Sequence, residues 1–141
     1  MIFVDTGYFA ALANRGDQLH ARAQAWAAWW QRSGREPLLL TEYVLVETLN
    51  LLSSPRFHAA AHWIADAVRT EAAYVLVPAS RALLDAGIEL HRERPDQSWS
   101  VTDCISFRVM KEHGVTRALA HDKHFVQAGF EGLLRQDPPT Q

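Results

Sequence analysis

The chain has 141 residues, 48% of them hydrophobic and 21% charged, with a formal net charge of −2. That describes one ordinary folding domain, without the basic footprint that announces nucleic-acid binding and without an apolar run long enough to span a bilayer. The start MIFVD lacks a basic segment followed by a long apolar one, so no signal peptide is expected. The single cysteine, Cys104, allows no internal disulfide, and a cytoplasmic location is expected.

Residues 2–5 (IFVD) form an apolar run ended by a turn signal and are read as a short buried strand. A short helix follows from Gly7 to Ala13, ended by Asn14-Arg15-Gly16. Asp17 is the expected N-cap of a second helix to about Arg32, stopped by Ser33-Gly34. Leu38 to Leu40 is a second strand, and Thr41 opens a third helix to about Ser53. After Ser54-Pro55 a fourth helix runs to about Glu71, and Ala73 to Val77 is a third strand. Ser80 caps a fifth helix ending near Arg94-Pro95; the loop PDQSW leads to a sixth, from Val101 to His113, stopped by Gly114. Arg117 to Ala120 is a fourth strand, Asp122 begins a last short helix, and Gly132 to Arg135 offers a fifth strand. Residues 1–135 are read as a single domain, and 136–141 (QDPPTQ) as a flexible tail. Strands alternating with helices imply an α/β fold with a parallel sheet, whose ligands bind at the carboxyl ends of the strands.

Asp5 and Asp122 lie at or just past two such ends. Either is also a plausible helix N-cap, and Asp103 is a plausible capping-box partner of Ser100. Glu47 is different. It lies inside TEYVLVETLNLL, a helix apolar nearly all round and so expected to be largely buried. A buried carboxylate needs a cation, a proton or strong hydrogen bonds, and no Lys or Arg lies between Glu36 and Pro55. A tertiary salt bridge is the alternative. Glu42, in the first turn, serves the helix dipole.

Together Asp5, Glu47, Asp103 and Asp122 could converge on one cleft. Two carboxylates about 4 Å apart repel by about 4 kcal/mol at an effective dielectric of about 20, so such a cluster calls for a divalent ion. All-oxygen ligands select Mg²⁺ or Mn²⁺, and the chemistry that fits is in-line attack of water on a phosphodiester. With four acids so occupied, the rest of the surface is slightly basic.

On these residues the sequence resembles PIN domains, and among them the VapC-type toxin ribonucleases. The likeness runs from IFVDTGYFAAL, with the family's Asp-Thr at Asp5-Thr6, through Glu47 in VETLNLL and Asp103 in SVTDCIS, to Asp122 with Phe125 three on and the closing GF-x-G-L. DQLHARA resembles the family's second-helix start. The resemblance implies a three-layer α/β/α fold with a short central parallel sheet flanked by helices. It also implies Mg²⁺- or Mn²⁺-dependent RNA cleavage, and a homodimer neutralised by a small antitoxin. Many relatives carry a further acid where this chain has His124, so one well-held ion is expected.

Thr6 is read as a hydrogen-bonding support of the site or a capping aid. His124 is a phosphate contact or acid–base helper, or, with His121, half of a zinc pair. Arg56, Arg108, Lys111 and Lys123 are candidate RNA contacts or solvated charges. Trp26, Trp29 and Trp30 are core residues or an exposed partner patch. Two other classes compete: a small-molecule phosphohydrolase, whose Asp-x-Asp signature is missing because Gly7 follows Thr6, and a non-catalytic RNA- or protein-binding module. A housekeeping RNA-processing role is the alternative to a toxin.

Overall fold

The computed structural model describes residues 1–140. Five strands form one parallel sheet in the order β3-β2-β1-β4-β5: β1 Ile2–Val4, β2 Leu38–Thr41, β3 Tyr74–Val77, β4 Arg117–Leu119 and β5 Glu131–Gly132. Seven helices make the connections: α1 Thr6–Ala13, α2 His20–Arg32, α3 Glu42–Leu51, α4 His58–Thr70, α5 Arg81–Glu93, α6 Val101–Glu112 and α7 Lys123–Gln127. Parallel pairing forces such crossovers. β1 is central because its three residues are wholly apolar and at most 1% exposed, which suits a strand covered on both faces. It pairs with β2 (Phe3 opposite Leu39) and with β4 (Phe3 opposite Ala118).

The core is aromatic near β1. Phe125 of α7 lies 6.2 Å from the Phe3 ring and 5.0 Å from Phe107 of α6, centroid to centroid. Trp26 and Trp30 of α2 are buried, and each indole N–H donates to a carbonyl, of Gln136 (2.9 Å) and Glu36 (2.7 Å) respectively. Trp29 is half-buried, edge-on to Trp26. These three are therefore core rather than a partner patch. The exposed tryptophan is Trp63 on α4, at 72%.

Four local expectations are corrected. Asp17 does not cap α2: its Oδ1 accepts the Leu19 N–H (2.8 Å) in a turn, and the helix starts at His20. The fifth strand is Glu131–Gly132, not Gly132 to Arg135; Leu133–Arg135 is a 3₁₀ turn, because burying Leu133 and Leu134 requires the chain to curl under Ala120, whose carbonyl accepts the Leu134 N–H. Residues Pro55–Phe57 form a 3₁₀ turn before α4. α3 is not buried all round: Val46 (55%) and Leu51 (60%) face outward. Beyond the last strand, Asp137 pairs with Arg22 and the Gln136 amide donates to Glu131, while residue 141 lies outside the described residues. Among the described residues no helix is long and apolar enough to cross a membrane.

α5 lies against α6 through Gly87, the one buried residue of that helix. A Cβ there would overlap Ile105 Cγ1, itself 1% exposed in the core. Gly87→Ala is expected to cost about 1–3 kcal/mol by overpacking, despite alanine's better helix propensity. Thermal unfolding checks this; an unchanged or raised Tm would show that α5 can shift freely.

Candidate active site

All strands end on one edge of the sheet, and the chain reverses its order of strand addition between β1 and β4. That is the switch point where such folds place ligands. The Asp5 N–H donates to the Leu119 carbonyl (3.2 Å), holding the two strand ends together. A cleft of about 380 Å³ opens there, lined by Asp5, Thr6, Gly7, Glu47, Ser98, Ser100, Asp103, His121, Asp122 and His124. The four acids, separated along the chain by up to 117 positions from Asp5 to Asp122, thus share one cavity.

Asp5 occupies the N-cap position of α1, yet its side chain makes no cap bond. The carboxylate lines the cleft instead, and the capping reading fails. Its pKa is pushed up to about 7, first by burial and then by the charge of Asp103; the Thr6 N–H offsets part of this, and Glu47 and Asp122 add to the rise. Like charges crowded in a poorly solvated place have this effect.

The other three acids are each held. Glu47 Oε1 accepts from the Thr6 hydroxyl at 2.6 Å, itself buried beside Thr48. A neutral hydroxyl, not a tertiary cation, is its partner. Asp103 does both things considered for it: it completes the capping box, accepting the Ser100 N–H at Oδ2 (3.1 Å), and it lines the cleft. Asp122 caps α7 by accepting the His124 N–H (3.0 Å) and remains half-exposed. His124 Nδ1 stands 3.1 Å from Asp103 Oδ2 and 3.3 Å from Asp122 Oδ1, bridging the two.

Drawn onto these partners, no three of the His, Cys, Asp and Glu side chains among the described residues already surround a common point as ligands. The donor set nevertheless fits a hard cation. The four carboxylates offer only oxygen, and no Lys or Arg lines the cleft beside them.

The four basic candidates do not line the cleft. Arg56 stacks on Phe57 (4.4 Å) and reaches Asn14; Arg108 pairs with Glu93 (3.6 Å) and lines, with Lys111, a separate groove beside Pro78 and Ser80. Lys123 is exposed at the first turn of α7, next to Asp122. Ser98 is a wall residue that sequence reasoning missed, and an isolated loop serine carries no signal by which to find it.

This arrangement, acids at the carboxyl edge of a five-stranded parallel sheet with Asp5 at its centre, defines a PIN-type α/β/α domain. A PIN-domain family model matches residues 2–131, and the chain belongs to that family. It is similar to the 23S rRNA-specific endonuclease VapC20 of Mycobacterium tuberculosis, in strains H37Rv and CDC 1551. Each is 35% identical over 132 residues, spanning 92% of this chain and 95% of the relative. The crystal structure of Mycobacterium tuberculosis VapC20, a sarcin–ricin loop cleaving toxin, matches with a TM-score of 0.80 at 32% identity, spanning 92% of this chain and 96% of that one.

Proposed function

We propose that the protein is a divalent-ion-dependent endoribonuclease, the toxin of a toxin–antitoxin pair, with ribosomal RNA as its substrate class. The observation that carries this is the half-buried Asp5 carboxylate sharing one cleft with three further acids. Its similarity to the 23S rRNA endonucleases over nearly the whole chain supports the substrate class. Asp5, Glu47, Asp103 and Asp122 would hold Mg²⁺ or Mn²⁺. When bound, the ion supplies the positive charge that offsets these acids and the phosphodiester. The chain's own groups supply the rest. Thr6 fixes Glu47, and Ser100 and His124 fix Asp103. The carboxylates would orient the attacking water and take its proton as it adds to phosphorus, while the departing ribose oxygen takes up a proton from solvent. Further parts of the reading are a homodimer, a small protein antitoxin and a cytoplasmic location alongside its RNA.

The test is incubation of the purified protein with 23S ribosomal RNA in Mn²⁺, in Mg²⁺ and in excess EDTA. Defined fragments with either ion and intact RNA with EDTA are expected, a loss of about 10³-fold or more in rate. Cleavage undiminished in EDTA would refute the ion requirement. Binding without cleavage in any condition would favour a binding module. The same preparation on a sizing column with light scattering reads the oligomeric state.

A further inference from the structure

We infer that Trp99 and Gln127 are positioning residues: the hydrogen bond between them fixes the spacing of the two cleft walls that carry Asp103 and Asp122. The inference rests on the ribonuclease reading above. Trp99 closes the loop that precedes Ser100, the N-cap of α6. It is 5% exposed, although its neighbours Ser98 and Ser100 both line the cleft. Its ring stands edge-on to Phe107, 5.0 Å between centroids, and the Arg94 guanidinium, itself paired with Asp96, lies 4.8 Å over it. A buried indole N–H needs an acceptor. Here it donates to Gln127 Oε1, at the end of α7, at 3.2 Å.

Gln127 lies three residues after His124, so the two project from one face of α7. Their partners, Trp99 and Asp103, lie four residues apart at the start of α6. Two ties therefore run from α7 to the same wall: His124 Nδ1 stands 3.1 Å from Asp103 Oδ2, and Trp99 donates to Gln127. A single tie is a hinge, whereas two set the angle of the helix. The angle matters because α7 has five residues and only Phe125 buried, so its side chains anchor it to the core at one point. The two ties differ in the atoms they use. The His124 tie occupies an oxygen of Asp103, one of the atoms that would hold the ion. The Trp99–Gln127 tie uses none of the four acids and stays available when they are engaged. Asp122 is the N-cap of α7 and moves with it. The outer tie thus holds Asp122 at its distance from Asp103 with or without an ion between them.

The experiment records Mn²⁺ affinity without RNA, kcat and KM on 23S ribosomal RNA in Mn²⁺, and Tm. Gln127→Met keeps the length and loses the acceptor; Gln127→Glu keeps an acceptor; Trp99→Phe keeps a ring beside Phe107 and loses the N–H. The fourth variant combines Trp99→Phe with Gln127→Met. Mn²⁺ affinity and kcat are each expected to fall about 10-fold in Gln127→Met and in Trp99→Phe, with KM within about 3-fold of wild type. Gln127→Glu should restore both, and the Tm of the exposed Gln127 variants should stay within about 2 °C of wild type. Both single changes remove the same bond, so the double variant should lose no more than Trp99→Phe alone. A wild-type Mn²⁺ affinity in Gln127→Met overturns the inference alone, leaving the nuclease reading intact. Losses that multiply in the double variant, or no recovery in Gln127→Glu, overturn it in favour of separate packing roles. A wild type that neither binds Mn²⁺ nor cleaves the RNA overturns the ribonuclease reading and this inference together.

Discussion

Asp5→Asn is expected to abolish RNA cleavage and, in the absence of divalent ions, to make the protein more stable. The two effects share one cause. The folded-state pKa of Asp5 is about 7 against an ordinary value of 3.8, so folding costs the carboxylate free energy wherever the unfolded chain would ionise it. Below pH 3.8 both states are protonated and nothing is lost. Stability falls as pH rises from there to about 7, then levels off. At about 1.4 kcal/mol per pKa unit the full penalty is on the order of 4 kcal/mol. Asparagine keeps the shape and removes the charge. Its Tm should exceed wild type by about 5–10 °C at pH 8, with the gain nearly gone by pH 4. Mn²⁺ at 100 times Kd should narrow the gap, because only wild type gains the binding free energy, about 2.7 kcal/mol. Thermal melts at both pH values, with and without Mn²⁺, check this. Equal stability of the two proteins at pH 8 would mean that Asp5 is solvated rather than crowded, and retained cleavage would remove it from the site.

Phe125→Ala should have the largest effect on stability, about 3–5 kcal/mol, or a Tm lower by about 10 °C or more. Phe125 is fully buried, stands edge-on to Phe107 and touches the Phe3 cluster. It is also the only buried residue of the five-residue α7. Asp122 and His124 stand at the start of that helix, so truncating its anchor releases one wall of the cleft. Cleavage measured well below the new Tm should fall as well, and Phe125→Leu, which keeps most of the volume, should recover most of both. If alanine left the melt within a degree or two of wild type, α7 would be held by something other than this ring.

The sequence made the layered α/β architecture legible because short apolar runs bounded by turn residues recur between helical patterns. Caps were legible too. Thr41, Ser80 and Ser100 each accept the backbone bond that their position implied. Asp17 shows the limit: an Asp two residues before an N–H makes a turn as readily as a cap, and only the packing of α2 decides. The exposure of Val46 and Leu51 was hidden for a related reason. Apolar periodicity shows that a helix is apolar, not how wide a face the sheet covers. At the site, the types and order of the acids could be read off the chain. The freedom of the Asp5 side chain could not, because helix starts of identical sequence differ in whether the first side chain bonds back. His124 was read as a support, but its bridge between Asp103 and Asp122 depends on α6 and α7 meeting in space. The placement of Arg108 and Lys111 in a separate groove depends on the packing of α5 against α6.

The central position of β1 has a consequence in time. Its neighbour on one side, β2, follows within the first 41 residues, but its other neighbour, β4, is among the last elements of the chain. A ribosome making this protein therefore exposes Asp5 and Glu47 long before it supplies Asp103 and Asp122. The acidic wall of the cleft is divided between the earliest and latest parts of the message. No nascent fragment that ends before β4 contains a complete cleft. The cleft is therefore complete only after β4 and α7 have emerged and docked.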